Sequence, residues 1–353
     1  MKRGLQSLWL GIFHGLNDMS AAYWLGRYAT DSIPDAAQLF ILYNVLAFGG
    51  QFVLAGFMQG SSIRGNSFWV IGALLVCAWF SGVSFPYLTI VGLGLLSAAF
   101  HLLGGVYVLQ LYAGSAAHAG VFSAPGVLGI AVAGICVAYG ISPTVIGILT
   151  AGVVLGLLLL LRLPNLPVIW TKTQISSKPH FDRHDWAMLL LLLAVVLRSG
   201  IWNVVFAGWQ HFAIEPIWLA IAAGCGKGFG GLLSLWIPTK RLIGILSIVL
   251  IISFIASSVF EYWLSLLVGV FCLQALTPLT WVILENIYLK NSLLSTSLSL
   301  GLLLLFGGFT TFSPFNNLLM SSVGMLVSIM ILAGVYVVAF ALQVKPPTLT
   351  DKN

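Results

Sequence analysis

Runs of about 18–25 apolar residues, each ended by a short polar, proline or glycine break, limit what this chain can fold into. A helix of that length crosses the hydrocarbon layer of a bilayer and satisfies its own backbone hydrogen bonds there. Twelve such spans are predicted, near 5–27, 36–59, 67–85, 88–112, 117–140 and 143–163, then 186–208, 214–238, 242–260, 262–286, 293–313 and 319–342. Charged residues make up 7% of the chain and hydrophobic ones 59%, where soluble domains carry about 25% charge. The reading is therefore an all-α polytopic membrane protein whose core lies within lipid. The cysteines at 77, 136, 225 and 272 fall inside apolar runs without metal-ligand spacing and read as small packing residues.

The basic residues test the span count. With both termini in the cytoplasm, cytoplasmic segments hold Lys2, Arg3, Arg64, Arg162, Lys172, Lys178, Arg183, Lys240, Arg241, Lys290, Lys345 and Lys352, and the opposite side holds only Arg27. Arg198 and Lys227 remain inside spans. This sorting supports twelve spans in a cytoplasmic (inner or plasma) membrane. It also accounts for the net charge of +6 without a nucleic-acid partner. Met1-Lys2-Arg3 begins like a signal peptide, but the run behind it contains His14, Asn17 and Asp18 and no clear cleavage site, so it reads as a retained first helix.

The longest polar stretch separates an N-terminal six-helix bundle, 1–163, from a C-terminal one, 186–353, and 164–185 reads as a cytoplasmic linker. Phe48-Gly49-Gly50 in span 2 and Phe229-Gly230-Gly231 in span 8 occupy corresponding places, each ahead of a short basic loop. Such duplicated halves are an architecture of secondary transporters.

Charged groups at mid-span cost about 2.5–3.5 kcal/mol on insertion scales and survive where they face a cavity or a partner. His14, Asn17 and Asp18 fall at i, i+3 and i+4, on one helix stripe. Asp18 reads as a substrate or proton group, or as the structural partner of Arg198; His14 and Asn17 also fit polar contacts between helices. Arg198 cannot shed its proton and requires an anion, either Asp18 or a substrate group, with Trp202 and Asn203 one turn on. Lys227 lies among glycines at 224, 226, 228, 230 and 231 and reads as facing a cavity. His101, central in span 4, titrates near neutral pH in its ordinary state, or else bonds a neighbouring carbonyl. Glu285, at the end of span 10, is either solvated or a gate residue for a basic loop, and Arg64 belongs to such a loop. No nucleophile motif, His-pair metal motif or phosphate-binding Gly-Lys-Ser/Thr loop occurs, so no enzyme, cofactor or metal is expected.

These residues in this layout resemble the major facilitator superfamily, and within it the fosmidomycin-resistance-like efflux branch. The likeness rests on His14-Gly-Leu-Asn17-Asp18 in span 1, Phe100-His101 with Gly104 and Gly105 in span 4, GVFSAPGVLG (Ser123, Pro125, Gly126, Gly129) in span 5, and Arg198 in span 7. It departs from the family where Gly60 and the LLSLWIPTKRL segment lack the loop aspartate, where Leu102 replaces a proline, and at Lys227. The residues and the resemblance together predict two six-helix bundles that rock around a midplane cavity lined by spans 1, 4, 7, 8 and 10, with Lys227 placed there by its position alone. Arg198, Lys227, Asn17, Trp202 and Asn203 would bind a small anionic or zwitterionic solute. Asp18, His101 and His14 would carry protons, with Asp18 paired to Arg198 when the site is empty. Efflux by proton antiport follows from the resemblance; the residues fit uptake by symport equally, and the altered loops fit a non-transporting membrane scaffold.

Overall fold

A computed structural model describes residues 4–59, 61–160, 163–167, 182–208, 215–260, 262–288, 291–311 and 316–342. Twelve helical segments follow one another where the apolar runs predicted them. They are α1 (Gly4–Thr30), α2 (Ala36–Phe57), α3 (Ser67–Ser81), α4 (Pro86–Leu111), α5 (Ala116–Ala138), α6 (Pro143–Leu160), α7 (Arg183–Ala207), α8 (Pro216–Leu233), α9 (Thr239–Phe260), α10 (Trp263–Ile287), α11 (Ser292–Thr311) and α12 (Ser322–Leu342). Among the described residues, nine of these are long and apolar enough to cross a membrane by length and composition. α3 and the apolar part of α6 are shorter, and α1 carries the polar stripe of His14, Asn17 and Asp18. Large apolar side chains such as Phe57, Leu88, Leu159 and Val337 point outward, the inverse of a soluble surface. The chain is a polytopic, all-α membrane protein.

Local chemistry sets the helix ends. Pro86 and Pro216 sit in the first turns of α4 and α8, where a missing N–H costs nothing. Gly140, at φ +62°, ends α5: Ile141 N–H reaches back to the Cys136 carbonyl and Gly140 N–H to Val137. Asp182 caps α7, accepting from the His184 and Asp185 amides while the Asp185 carboxylate accepts from Asp182 N–H. The reading of 164–185 as a plain linker needs one amendment. Leu166 and Pro167 pair antiparallel with Ile63 and Ser62, and Asn165 accepts from Gly65 N–H, which fixes the start of this segment to the connection after α2. Residues 168–181 lie outside the described residues, as do Lys2, Arg3, Arg162, Lys172, Lys178, Lys290, Lys345, Lys352 and Gly60.

The buried apolar side chains form two cores. One is drawn from α1–α6 with Trp281, Leu293 and Leu300; the other is drawn from α7–α12 with Ala116, Val127 and Ala131. α5 therefore contributes to both. It packs against α1 on one side and α8 on another, and the glycines make this possible. A Cβ on Gly15 would lie 2.9 Å from the Pro125 carbonyl oxygen, and one on Gly120 would lie 2.5 Å from the Lys227 carbonyl oxygen. Gly11 faces the Val121 carbonyl, which Pro125, lacking N–H, cannot engage within α5. α2 and α11 each contain a π-helical turn, Val45–Gly49 and Ser297–Leu302, and these turns meet. Gln51 there donates to the Ala47 carbonyl at 3.0 Å and to the Leu300 carbonyl at 2.9 Å.

Candidate functional site

α1 and α4 bring the polar residues of the first six helices into one cluster. The Asp18 carboxylate lies 3.2 Å from His14 Nε2 and 3.3 Å from His101 Nε2, and the two Nε2 atoms are 2.7 Å apart. Both histidines are 5% exposed. The helical spacing of His14 and Asp18 supplies one edge of the triangle; α4, packed against α1, supplies the third corner. His14 Nδ1 lies 2.9 Å from the Phe122 carbonyl oxygen and His101 Nδ1 2.7 Å from the Ser97 carbonyl oxygen. A carbonyl can only accept, so each Nδ1 carries its ring proton; in a neutral ring Nε2 then turns a lone pair toward the other two corners, and in a protonated ring it donates to one of them. Asn17 donates to Asp18 Oδ1 at 3.2 Å and to Ser97 Oγ at 3.1 Å, and the Tyr43 hydroxyl also reaches Ser97 Oγ. Ser97 and Tyr43 were not singled out from the sequence. Ser97 precedes His101 by four residues, so the one-turn spacing was a usable signal.

The expected pairing of Asp18 with Arg198 is not formed. Asp18 takes the two histidines instead, while Arg198 Nη1 donates to Thr277 Oγ1 at 2.7 Å and to Gln274 Oε1 at 3.4 Å. The reason is positional: α4 stands beside α1, whereas the Arg198 side chain on α7 is turned into its own half, toward α10. Among the described residues Arg198 has no ion pair. It is 3% exposed, and its Nε has no hydrogen-bond partner. Gln274 and Thr277, at i and i+3 ahead of Pro278, were missed in the sequence because uncharged polar residues in an apolar helix read as packing.

Lys227 is half-buried and, among the described residues, makes no hydrogen bond or ion pair. The surrounding glycines hold α8 close to both neighbours. Gly120 and Gly231 face α5–α8 contacts, and Gly226 and Gly230 face the α10 backbone at Phe271 and Ala275.

Trp202 and Asn203 are not brought to Arg198. Trp202 packs on Phe206 with ring centroids 5.1 Å apart, and the Asn203 amide donates to the Ser199 carbonyl of its own helix. Asn203 lines a cleft with Phe40, Asn44 and Leu305 between α2, α7 and α11. At about 50 Å³ the cleft has room for a water or two and not for a solute. Arg64 is exposed and forms no ion pair with Glu285. Glu285 is 3% exposed, so it is not solvated; it accepts from Ser292 Oγ at 2.6 Å. Its carboxylate also lies against Gly114, which turns at φ +70° between α4 and α5, so Glu285 joins the two halves at that end.

No family model and no curated protein sequence matches the chain. Solved structures do. The fold is similar to that of FucP, a major facilitator superfamily transporter, in the outward conformation, with TM-score 0.61 and 12% identity over 96% of this chain and 100% of that one. A structure of the E. coli fucose:proton symporter FucP gives the same TM-score and identity over 97% and 98%. The human organic anion transporter MFSD10 gives TM-score 0.60 and 13% identity over 97% and 99%. At such identities the likeness carries the fold alone, and the chain has the twelve-helix major facilitator fold.

Proposed function

We propose that this protein is a secondary active transporter that moves a small anionic or zwitterionic solute across the cytoplasmic membrane by alternating access, in exchange for protons. One observation carries the reading. Arg198 is a buried permanent cation whose partners among the described residues are neutral, and the carboxylate available to it, Asp18, is already engaged by two histidines. A buried charge without a counter-charge is costly, and a substrate carboxylate, phosphate or phosphonate removes that cost. Lys227, which among the described residues makes no hydrogen bond or ion pair, supplies the second positive group in this reading.

In this reading one proton is held among Asp18, His14 and His101, Asn17 orients the carboxylate while Ser97 holds Asn17, and Glu285 closes one end. The six-helix units 1–163 and 186–353 rock about the α5–α8 and α2–α11 contacts, with both termini cytoplasmic. A ligand drives such motion only by binding the two states differently. The outward direction follows from the likeness of span 1 and span 4 to the fosmidomycin-resistance-like efflux branch. One fold neighbour is named an organic anion transporter, which fits an anionic solute, and another a proton symporter, which fits proton coupling but not the exchange direction.

The test is a thermal-shift screen of purified protein against small carboxylates, phosphates and phosphonates. At about 100 times its Kd a ligand stabilises by about 2.7 kcal/mol, so a binder stands out. At least one anion should stabilise the wild type and not Arg198→Ala. Equal stabilisation of both proteins, or none of the wild type by any anion, overturns the anion site. A non-transporting scaffold would then be the better reading.

A further inference from the structure

The three corners of the α1–α4 cluster are all acceptors. His14 and His101 each commit Nδ1–H to a backbone carbonyl, so when both rings are neutral two imidazole lone pairs and a carboxylate converge. Such a triangle is held together by a proton shared among its corners, as in the transport reading, or by a metal cation bound to all three. Two histidines and one carboxylate are also the donor set of borderline divalent transition metals, and Nδ1–H bonded to a carbonyl is the usual support behind a metal-ligating histidine.

The dimensions agree. Four-coordinate zinc with bonds of 2.0–2.1 Å separates its ligand atoms by about 3.3 Å. Each histidine has one Asp18 oxygen at that separation, His14 Nε2 at 3.2 Å from Oδ2 and His101 Nε2 at 3.3 Å from Oδ1. One ligand atom from each of the three residues can be chosen so that all lie within 4.8 Å of one another. The Nε2–Nε2 edge, now 2.7 Å, has to open by about 0.6 Å, a small rotation of two rings. Gly126 of α5 packs against the cluster, where a Cβ would come within 2.6 Å of Asp18 Oδ2 and 2.7 Å of His14 Nε2. Glycine at this position therefore keeps α5 from obstructing those two ligand atoms. The rings of Phe100 and Phe122 lie against His14, with Phe13 packed on Phe100.

We propose that His14 Nε2, His101 Nε2 and the Asp18 carboxylate form a binding site for a single divalent transition-metal ion of the zinc class, with water as fourth ligand. Magnesium and calcium are excluded by the two imidazoles. The site goes beyond the transport reading, since it is defined by binding and requires no knowledge of the solute.

The test uses full-length, tag-free protein in detergent, stripped with a chelator and titrated with Co²⁺ alone. One equivalent should bind with the visible absorption of four-coordinate cobalt, and Zn²⁺ should displace it. His101→Gln and His14→Gln should each weaken binding by roughly 100-fold or more, a larger effect than loss of a supporting group. Gly126→Ala keeps every ligand but presses a Cβ against Asp18 Oδ2 and His14 Nε2, and should abolish the cobalt spectrum; monodispersity on gel filtration checks the fold of each variant. A wild type that binds no cobalt overturns the proposal without recourse to any variant, as does unchanged binding by a folded His101→Gln protein. Anion stabilisation by way of Arg198 is read separately, so either idea can fail alone.

Discussion

The Arg198 guanidinium donates to the Thr277 hydroxyl at 2.7 Å and, among the described residues, to no carboxylate. A buried ion without a counter-ion lowers stability, and replacing buried charge by an apolar side chain of similar volume often stabilises by about 1–4 kcal/mol. Arg198→Met should therefore raise the melting temperature of the purified protein by several degrees while removing anion-dependent stabilisation. A fall in Tm, measured by intrinsic fluorescence, would mean that the guanidinium is a structural strut.

Asp18 meets two imidazole lone pairs. Asn in its place retains the shape and can donate one N–H to a lone pair, but holds no charge for a proton to neutralise. In proteoliposomes containing Asp18→Asn protein, exchange of an anion identified by the thermal screen should continue while a pH gradient no longer drives its accumulation. Gradient-driven accumulation equal to wild type would remove Asp18 from proton coupling.

Gln51 ties α2 to α11 through the Leu300 carbonyl. Gln51→Leu leaves that buried carbonyl without its side-chain donor, at a cost of about 1–3 kcal/mol. Tm should fall by several degrees, and a Gln51→Glu protein should fare no better, because the carboxylate offers no donor to a carbonyl. An unchanged Tm in the leucine variant would show that the paired π turns hold together without Gln51.

Gly120 allows α5 to touch the α8 backbone at Lys227. A side chain there must push the two halves apart, and overpacking of this kind costs about 1–3 kcal/mol. Gly120→Val should reduce transport at least roughly tenfold, since about 1.4 kcal/mol corresponds to that factor. Wild-type rates in proteoliposomes would show that the α5–α8 approach is not part of the cycle.

The twelve helices were legible in the sequence because a bilayer imposes a linear rule: each span must be apolar over its own length, and its ends are marked by proline, glycine or polar caps. The pattern at Gly140 and the cap at Asp182 are likewise local chemistry. Within one helix, the common face of His14 and Asp18 followed from spacing alone. Which groups meet across helices did not. His101 is 87 residues from His14, and its approach depends on how α1, α4 and α5 pack, which the glycines at 11, 15 and 126 control by allowing backbones within reach. The sequence offered Asp18 and Arg198 as opposite charges and no means of telling that α4 would bring a histidine to Asp18 first. Charge identity is written residue by residue, but the partner of a charge is a property of helix packing, and only the tertiary structure decided it.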